Sequence, residues 1–274
     1  MLDKIDYLEP QCALCGGAEF YYPNENAPDG RIPVGRVIEK LDSFLNKNDL
    51  VSAQNLLEYW RAEAIALRDK QGELSVLNEL VGLYRKIGNK EKGLEAVSSS
   101  LNIVKELGQE EATSSGTVLL NCATAYKAFG MAEHALPLYK SAEQIYNKNL
   151  QPSDSKFGGL YNNMALALVD LRDFTGAEKA YLSALDIMKQ AKHGELECAI
   201  TLINMAHMYE KCLHLEKVDD LMQEAYRLLM TESLPRDGYF AYVCENCEPS
   251  FAYFGYDDIS EHLKKLYGEI YAGA

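Results

Sequence analysis

The sequence predicts an all-α protein, a right-handed α-solenoid of about five helix-turn-helix repeats with a C-terminal capping helix. One helical pattern recurs every 40–42 residues between about residues 34 and 231. Small residues follow each copy at constant distances, and polar linkers rich in turn residues separate the copies. Self-similarity at a fixed period is typical of stacked supersecondary units that bury a continuous core only together.

The repeated pattern places an apolar residue one helical turn before an aromatic or aliphatic residue. It occurs at Leu80 and Tyr84, Cys122 and Tyr126, Met164 and Leu168, and Met205 and Tyr209. A small or short residue follows nine residues later, at Gly93, Ala135, Ala177 and Val218, and another seven residues after that, at Ser100, Ala142, Ala184 and Ala225. Residues three or four apart share a helix face, so each copy predicts two helices packed on one another.

The first 32 residues predict an irregular arm that carries a Cys-x-x-Cys motif. Pro10, Gly16 and Pro23 are among its many turn and helix-breaking residues, and no helical period runs through it. The motif is formed by Cys12 and Cys15. The arm is therefore expected to lie outside the repeats.

The five repeats are predicted over residues 34–73, 74–115, 116–157, 158–198 and 199–231. In the second repeat the first helix is expected from about Ser75 to Ile87, and the second helix from about Glu91. Gly88 between them is expected to supply a left-handed C-cap. The third repeat is expected to turn at Gly130 and the fourth at Arg172.

Residues 232–274 differ in composition from the repeats. They contain a segment rich in tyrosine and phenylalanine and a second Cys-x-x-Cys motif, Cys244 and Cys247. An amphipathic helix is predicted at the end, from about Ile259 to Tyr271. A solenoid needs a terminal element with a polar outer face, and this helix is the expected cap.

The units resemble the tetratricopeptide repeat (TPR). That family has a large residue, Leu-Gly/Ala and Tyr in its first helix, and Ala, an aromatic residue and Ala in its second. The third unit shows the pattern at Leu119, Cys122, Ala123, Tyr126, Ala135, Tyr139 and Ala142. Its spacing exceeds the standard length, about 34 residues, so the units are similar to the longer-helix variety of kinesin light chains. The first unit departs from it, with Trp60 at a small position and Lys40 at an apolar one.

An asparagine stands directly before the apolar-Ala pair in three repeats, at Asn121, Asn163 and Asn204. In the long-repeat family an Asn commonly occupies this position and faces the concave groove, so the resemblance implies contact with a bound peptide. An amide has one acceptor and two donors and therefore pairs with a peptide backbone. The second repeat has Glu79 there, with Asn78 beside it. The alternative is that these residues bond a neighbouring repeat and set the stacking.

Neighbouring groove positions are expected to supply specificity. The candidate peptide-binding residues are Asn78, Arg85, Asn121, Lys127, Asn163, Asn204 and His207. Arg85, Lys86 and Lys127 form a basic cluster that favours an acidic peptide, and an ordinary solvated face is the alternative.

The seven cysteines leave three interpretations of the two Cys-x-x-Cys motifs open. Two such motifs indicate zinc when they lie about 15–20 residues apart, because four thiolates complete a tetrahedron. Here the motifs lie at opposite ends of the chain. A zinc site within or between subunits, a redox pair, and unligated thiols all remain, and we predict no metal ligand and no cofactor.

Composition excludes some partners. A net charge of −14 and a pI near 4.9 argue against nucleic acid, which binds clustered Lys and Arg. The longest apolar run, Met164 to Val169, is too short to span a membrane. The first residues lack a secretory signal, and an odd cysteine number fits a reducing compartment, so a cytoplasmic location is expected.

The sequence lacks a Gly-rich phosphate loop and the common hydrolase and metalloprotease motifs. We therefore predict a non-enzymatic scaffold that binds an extended peptide or protein segment in its concave groove. The alternative is an intracellular regulatory sensor of a small signalling peptide, with residues 1–32 as an autoinhibitory arm. Residues 1–32 are too short for the N-terminal effector domain that such bacterial receptors usually carry. The oligomeric state is not predicted.

Overall fold

The structure, a computed structural model, describes residues 28–273, which form twelve α-helices and one short 3-10 helix and contain no β-strand. This confirms the all-α prediction. The described residues fall into two compact units that divide between residues 150 and 151, and each is treated by itself. Predictions about residues 1–27, including Cys12 and Cys15, lie outside the described residues.

The helices of the N-terminal unit are α1 (Val34–Leu45), α2 (Leu50–Ala66), α3 (Lys70–Lys86), α4 (Lys90–Glu106), α5 (Thr113–Ala128) and α6 (Ala132–Asn149). Those of the C-terminal unit are α7 (Ser155–Asp170), α8 (Phe174–Met188), α9 (Glu195–Lys211), the 3-10 helix (Leu215–Lys217), α10 (Val218–Leu229), α11 (Gly238–Tyr253) and α12 (Asp257–Gly273). Each odd-numbered helix packs against the even-numbered helix that follows it.

Side-chain caps fix many of the helix starts. An Asp or Asn side chain accepts a first-turn backbone N–H at Asp49, Asp69, Asn89, Asp154, Asp173 and Asp237. Such a cap contributes about 1 kcal/mol. One of these caps shows that the expected start of α3 was wrong. That helix begins at Lys70 rather than near Ser75, because Asp69 accepts the N–H of Gly72 at 3.0 Å.

The turns within repeats use left-handed backbone where the sequence predicts them. Gly88 has φ of 72° and Gly130 has φ of 75°. Arg172 adopts φ of 62° without the freedom of glycine. The predicted turns at these three positions are therefore confirmed.

In the N-terminal unit, α3 lies between α2, α4 and α5 and is buried along nearly its whole length. Leu77, Leu80 and Val97 are among the fully buried residues of its core. Small residues of the repeat pattern stand where helices approach closely. A Cβ atom at Gly93 would lie 2.6 Å from the ring of Phe129, so only glycine fits there without movement of that ring.

In the C-terminal unit, α9 packs against α7, α8, α10 and α11 around one core. The tyrosine-rich segment forms α11, a helix that the sequence analysis does not predict. Asp237 caps it by accepting the N–H of Phe240 at 3.0 Å. Pro249 interrupts its hydrogen-bond ladder, but Pro249 and Glu245 one turn earlier are exposed, so the interruption lies on the solvent side. The predicted C-terminal helix is α12.

Candidate functional site

The candidate site is the face formed by the first helices of neighbouring repeats, α3 with α5 in one unit and α7 with α9 in the other. In the N-terminal unit, Asn121 on α5 donates its Nδ2 to Oδ1 of Asn78 on α3 at 2.8 Å. The two side chains are only 5% and 6% exposed. The structure therefore joins two predicted site residues as a buried amide pair between adjacent helices.

The C-terminal unit contains a second amide pair with the same orientation. Asn204 on α9 donates its Nδ2 to Oδ1 of Asn162 on α7 at 3.1 Å. Asn162, and not the predicted Asn163, is the partner. Asn163 is 3% exposed and Asn204 is half-buried. In both units a hydrogen bond between two asparagine side chains therefore links neighbouring first helices.

One acceptor is left over in the N-terminal pair. Among the described residues, Oδ1 of Asn121 has no hydrogen-bond partner although it is buried. A buried polar atom without a partner costs about 1–3 kcal/mol. A donor at this atom would be favourable, but the oxygen is shielded from solvent, so a bound segment reaches it only when the side chains around it move.

Arg85 and Lys127 occupy the last turns of the adjacent helices α3 and α5, and both are half-buried. A positive charge in the last turn stabilises the helix dipole. The same positions place two cations on the first-helix side of the N-terminal unit. Lys86 is exposed next to Arg85.

His207 on α9 lies half-buried against α11. Its Nε2 is 2.9 Å from Oγ of Ser250, and its Nδ1 is 3.8 Å from Oε2 of Glu210. The ring of Phe254 lies 4.8 Å away between centroids. Burial lowers the pKa of His207, and the Glu210 carboxylate partly opposes that shift. The neutral imidazole is therefore the favoured form at neutral pH.

Glu197 is a buried carboxylate on this face and is not among the predicted site residues. The hydroxyl of Tyr239 on α11 donates to its Oε1. Glu197, Asn162 and Thr201 line a small cavity of about 10 Å³ together with Met188 and Ile200, and its volume is close to the space of one water molecule. Glu197 lies in the first turn of α9, where a carboxylate ordinarily indicates only a favourable contact with the helix dipole.

The Cys244 and Cys247 motif lies inside α11, one turn apart, with both side chains buried. Burial raises the pKa of Cys244 to about 12 and that of Cys247 further. Thiolates, rather than thiols, bind zinc and react as nucleophiles. Within residues 28–273 no group of three or more His, Cys, Asp or Glu side chains is arranged to hold a metal ion.

Comparison with known proteins identifies the fold of this chain but no sequence family. No protein-family profile and no curated sequence matches the chain. Among solved structures, BtubC (BKLC) from P. vanneervenii is 20% identical, covers 83% of this chain and 91% of its own, and has a TM-score of 0.54. A kinesin-light-chain-type protein of nearly identical TPR-like repeats from Podosopora anserina is 15% identical, covers 73% of this chain and 95% of its own, and has a TM-score of 0.53.

The chain is therefore an all-α helical-repeat protein. More particularly, it has the TPR-like fold of the kinesin-light-chain type. At 15–20% identity these likenesses show the fold alone. In the part of the chain that the structure describes, every helix is too short or too polar to cross a membrane.

Proposed function

We propose that this protein is a non-enzymatic cytoplasmic scaffold that binds an extended peptide or protein segment along the faces of its first helices. The fold supports an interaction scaffold in general. Binding on the α3–α5 and α7–α9 faces is the specific part of the proposal. Each of these two faces carries one asparagine pair between adjacent helices.

The buried, unpartnered Oδ1 of Asn121 is the observation that carries the proposal. Its pair with Asn78 consumes one donor and one acceptor, and leaves this oxygen without a donor. A backbone N–H of an extended segment is a donor that any sequence provides. Because this oxygen is shielded from solvent, the bond requires the side chains around it to move. It would then remove an unfavourable desolvation cost and contribute about 0.5–1.5 kcal/mol net.

The side chains around the two pairs suggest different preferences. Arg85 and Lys127 favour acidic side chains near the α3–α5 face, since opposite charges attract across a half-buried surface. In the C-terminal unit, His207 and the exposed Tyr253 present aromatic surface, with ring centroids 5.5 Å apart. Aromatic or apolar side chains fit that region better.

The test begins with peptides of about twelve residues selected on the immobilised wild-type protein from a displayed random library. Their dissociation constants are then measured by fluorescence anisotropy. Asn121→Ala is expected to weaken binding about tenfold, because one or two hydrogen bonds of about 0.5–1.5 kcal/mol each are lost. Asn147→Ala is the matched control, because Asn147 is an exposed asparagine on the second helix α6.

Equal dissociation constants for the two variants, with both folded by circular dichroism, would count against the α3–α5 face. The sensor hypothesis predicts a separate result with the same peptides. Deleting residues 1–27 would raise their affinity if that segment competes for the face. This deletion leaves Asp29 and Ile32, which contact the α2–α3 turn, in place.

A further inference from the structure

Helix α2 exposes an uncharged, largely apolar face. Val51, Tyr59 and Ile65 are 72%, 56% and 51% exposed. The other exposed residues of the helix, Asn55, Ala62 and Ala66, also lack charge. We call these six residues the α2 stripe. They follow one another at intervals of three or four residues, apart from the neighbours Ile65 and Ala66, and so form one continuous face.

Two of the charged residues of α2 point away from the stripe and toward the following helices. Glu58 lies 2.5 Å from Nζ of Lys92 on α4 and accepts the hydroxyl of Tyr84 on α3. Arg61 donates to Oγ of Ser99 on α4 at 3.1 Å. The remaining charge on this helix, Glu63, is half-buried. The solvent side of α2 is therefore left without ionic groups.

The second helices of the other repeats provide an internal comparison. Their exposed faces are mostly charged or polar, at Glu91, Glu95 and Lys105 on α4, at Glu133, Lys140 and Lys148 on α6, at Lys179, Ser183 and Asp186 on α8, and at Gln223 and Arg227 on α10. Leu182 on α8 is 48% exposed but stands among these polar residues. A terminal repeat normally presents a polar outer face to water. The α2 stripe lacks such a polar face, and we therefore expect another segment of protein to pack against it.

The chain that precedes α1 is held at one end of the stripe. The N–H of Asp29 donates to the carbonyl of Leu67 at 2.9 Å, and Arg68 donates to both carboxylate oxygens of Asp29 at 2.6 and 2.9 Å. The N–H of Ile32 donates to Oδ2 of Asp69 at 3.0 Å. Residue 28 therefore lies next to the C-terminal end of α2, immediately beyond Ala66.

We propose that residues 1–27 of this chain pack along the α2 stripe, with Phe20, Tyr21 and Tyr22 as the main contacts. A helix of 17 residues is about 26 Å long. The six to eight residues between residue 28 and these aromatic side chains span about 20–26 Å when extended, at ~3.3 Å per residue. They therefore reach the whole length of the stripe.

A second copy of the chain is the weaker candidate for the same surface. A stripe about 26 Å long and about 10 Å wide offers roughly 260 Å² per partner, well below the ~800 Å² of a stable interface. A segment of the same chain needs less contact area, because its tether supplies an effective concentration in the millimolar range. This inference stands on different observations from the proposed peptide site.

Trp60, the only tryptophan of the chain, reports on this surface in the full-length protein. Its ring lies 5.3 Å from that of Tyr59. Replacing Phe20, Tyr21 and Tyr22 together by serine is expected to shift its emission to longer wavelength by several nanometres and to increase its quenching by acrylamide. Asn24→Ser with Asn26→Ser is the matched control, and it is expected to leave both signals unchanged.

A photo-crosslinking residue at position 59 of the full-length protein tests the contact directly. Mass spectrometry is expected to find cross-links from position 59 to residues 1–27, and none from a crosslinker placed at Leu182. Unchanged Trp60 emission together with no such cross-link would overturn the proposal. Cross-links between two copies at position 59 would overturn it in favour of a dimer. Cross-links from a probe at Lys127 to residues 1–27, with none from position 59, would place the segment on the first-helix face.

Discussion

Tyr181 and Tyr139 occupy the same position in two successive repeats, yet we expect their conversion to phenylalanine to change stability in opposite directions. Both side chains are fully buried. The hydroxyl of Tyr139 lies 3.1 Å from Oγ1 of Thr124. Among the described residues the hydroxyl of Tyr181 has no hydrogen-bond partner, because Leu166 stands where the preceding repeat has Thr124.

The expected magnitudes follow from these two environments. Tyr181→Phe removes a buried hydroxyl that is desolvated without compensation, and we expect the free energy of unfolding to rise by about 0.5–1 kcal/mol. Tyr139→Phe removes a hydrogen bond and should lower it by about 0.5–1.5 kcal/mol. Thr124 still donates to the carbonyl of Leu120 at 2.9 Å, so the second change leaves its hydroxyl paired.

Thermal unfolding followed by far-ultraviolet circular dichroism measures both changes. A change of 1 kcal/mol corresponds to about 2–4 °C in a chain of this size. The two variants should therefore differ in unfolding midpoint by several degrees, with Tyr181→Phe above wild type. A fall for Tyr181→Phe equal to that for Tyr139→Phe would refute the reasoning, because it would show that the Tyr181 hydroxyl is satisfied.

Two further predictions concern titratable groups. Burial holds the pKa of His207 below its ordinary 6.5, so the unfolded chain binds more protons near that value and stability should fall as the pH drops below about 6.5. His207→Gln should flatten this fall in a urea-denaturation series between neutral and mildly acidic pH, and an unchanged slope would contradict the assignment. The Cys244 and Cys247 thiols should not react with Ellman's reagent in the folded protein, since their pKa values are raised by burial. The double serine variant should therefore give the same native thiol count as wild type, and a loss of two rapidly reacting thiols would show that α11 exposes them.

The features that the sequence predicted correctly are governed by short stretches of chain. Left-handed turns at Gly88 and Gly130 follow from the freedom of glycine between two helical periods. The small residues where the two helices of a repeat cross are predictable, because the helices approach equally closely in each repeat. Ala135 and Ala177 are both fully buried.

The pairing within the candidate site was not predictable from the pattern, because it depends on the register between separate helices. Asn121 meets Asn78, 43 residues earlier, and Asn204 meets Asn162, 42 residues earlier. A repeat alignment shows equivalent positions but not which residue of the neighbouring helix stands opposite. A difference of one position decides which amide faces the asparagine of the neighbouring helix. This is why Asn162, rather than Asn163, emerged as the partner.

The second Cys-x-x-Cys motif is explained better by the repeat than by metal chemistry. Cys247 and Phe251 each follow Met205 and Tyr209 by 42 residues, and Asn246 stands before Cys247 as Asn204 stands before Met205. Cys247 and Phe251 are buried in the core of the C-terminal unit. Cys247 is therefore a packing residue at the position that Cys122 occupies in the third repeat.

Glu248 and Pro249 hid this copy of the pattern, because they stand where the previous copy has Ala206 and His207. A carboxylate at a small, buried position ordinarily argues against a packed helix, since an unpaired buried charge is costly. Here Ser260 on α12 donates to Glu248, and Nζ of Lys264 on α12 lies 3.1 Å from its Oε1. The substitution thus supplies a polar anchor for the last helix. The three preceding repeats have Ala206, Ala165 and Ala123 at this position, and an alanine side chain cannot form such a bond, so the polar contact between the two helices of a pair is particular to α11 and α12.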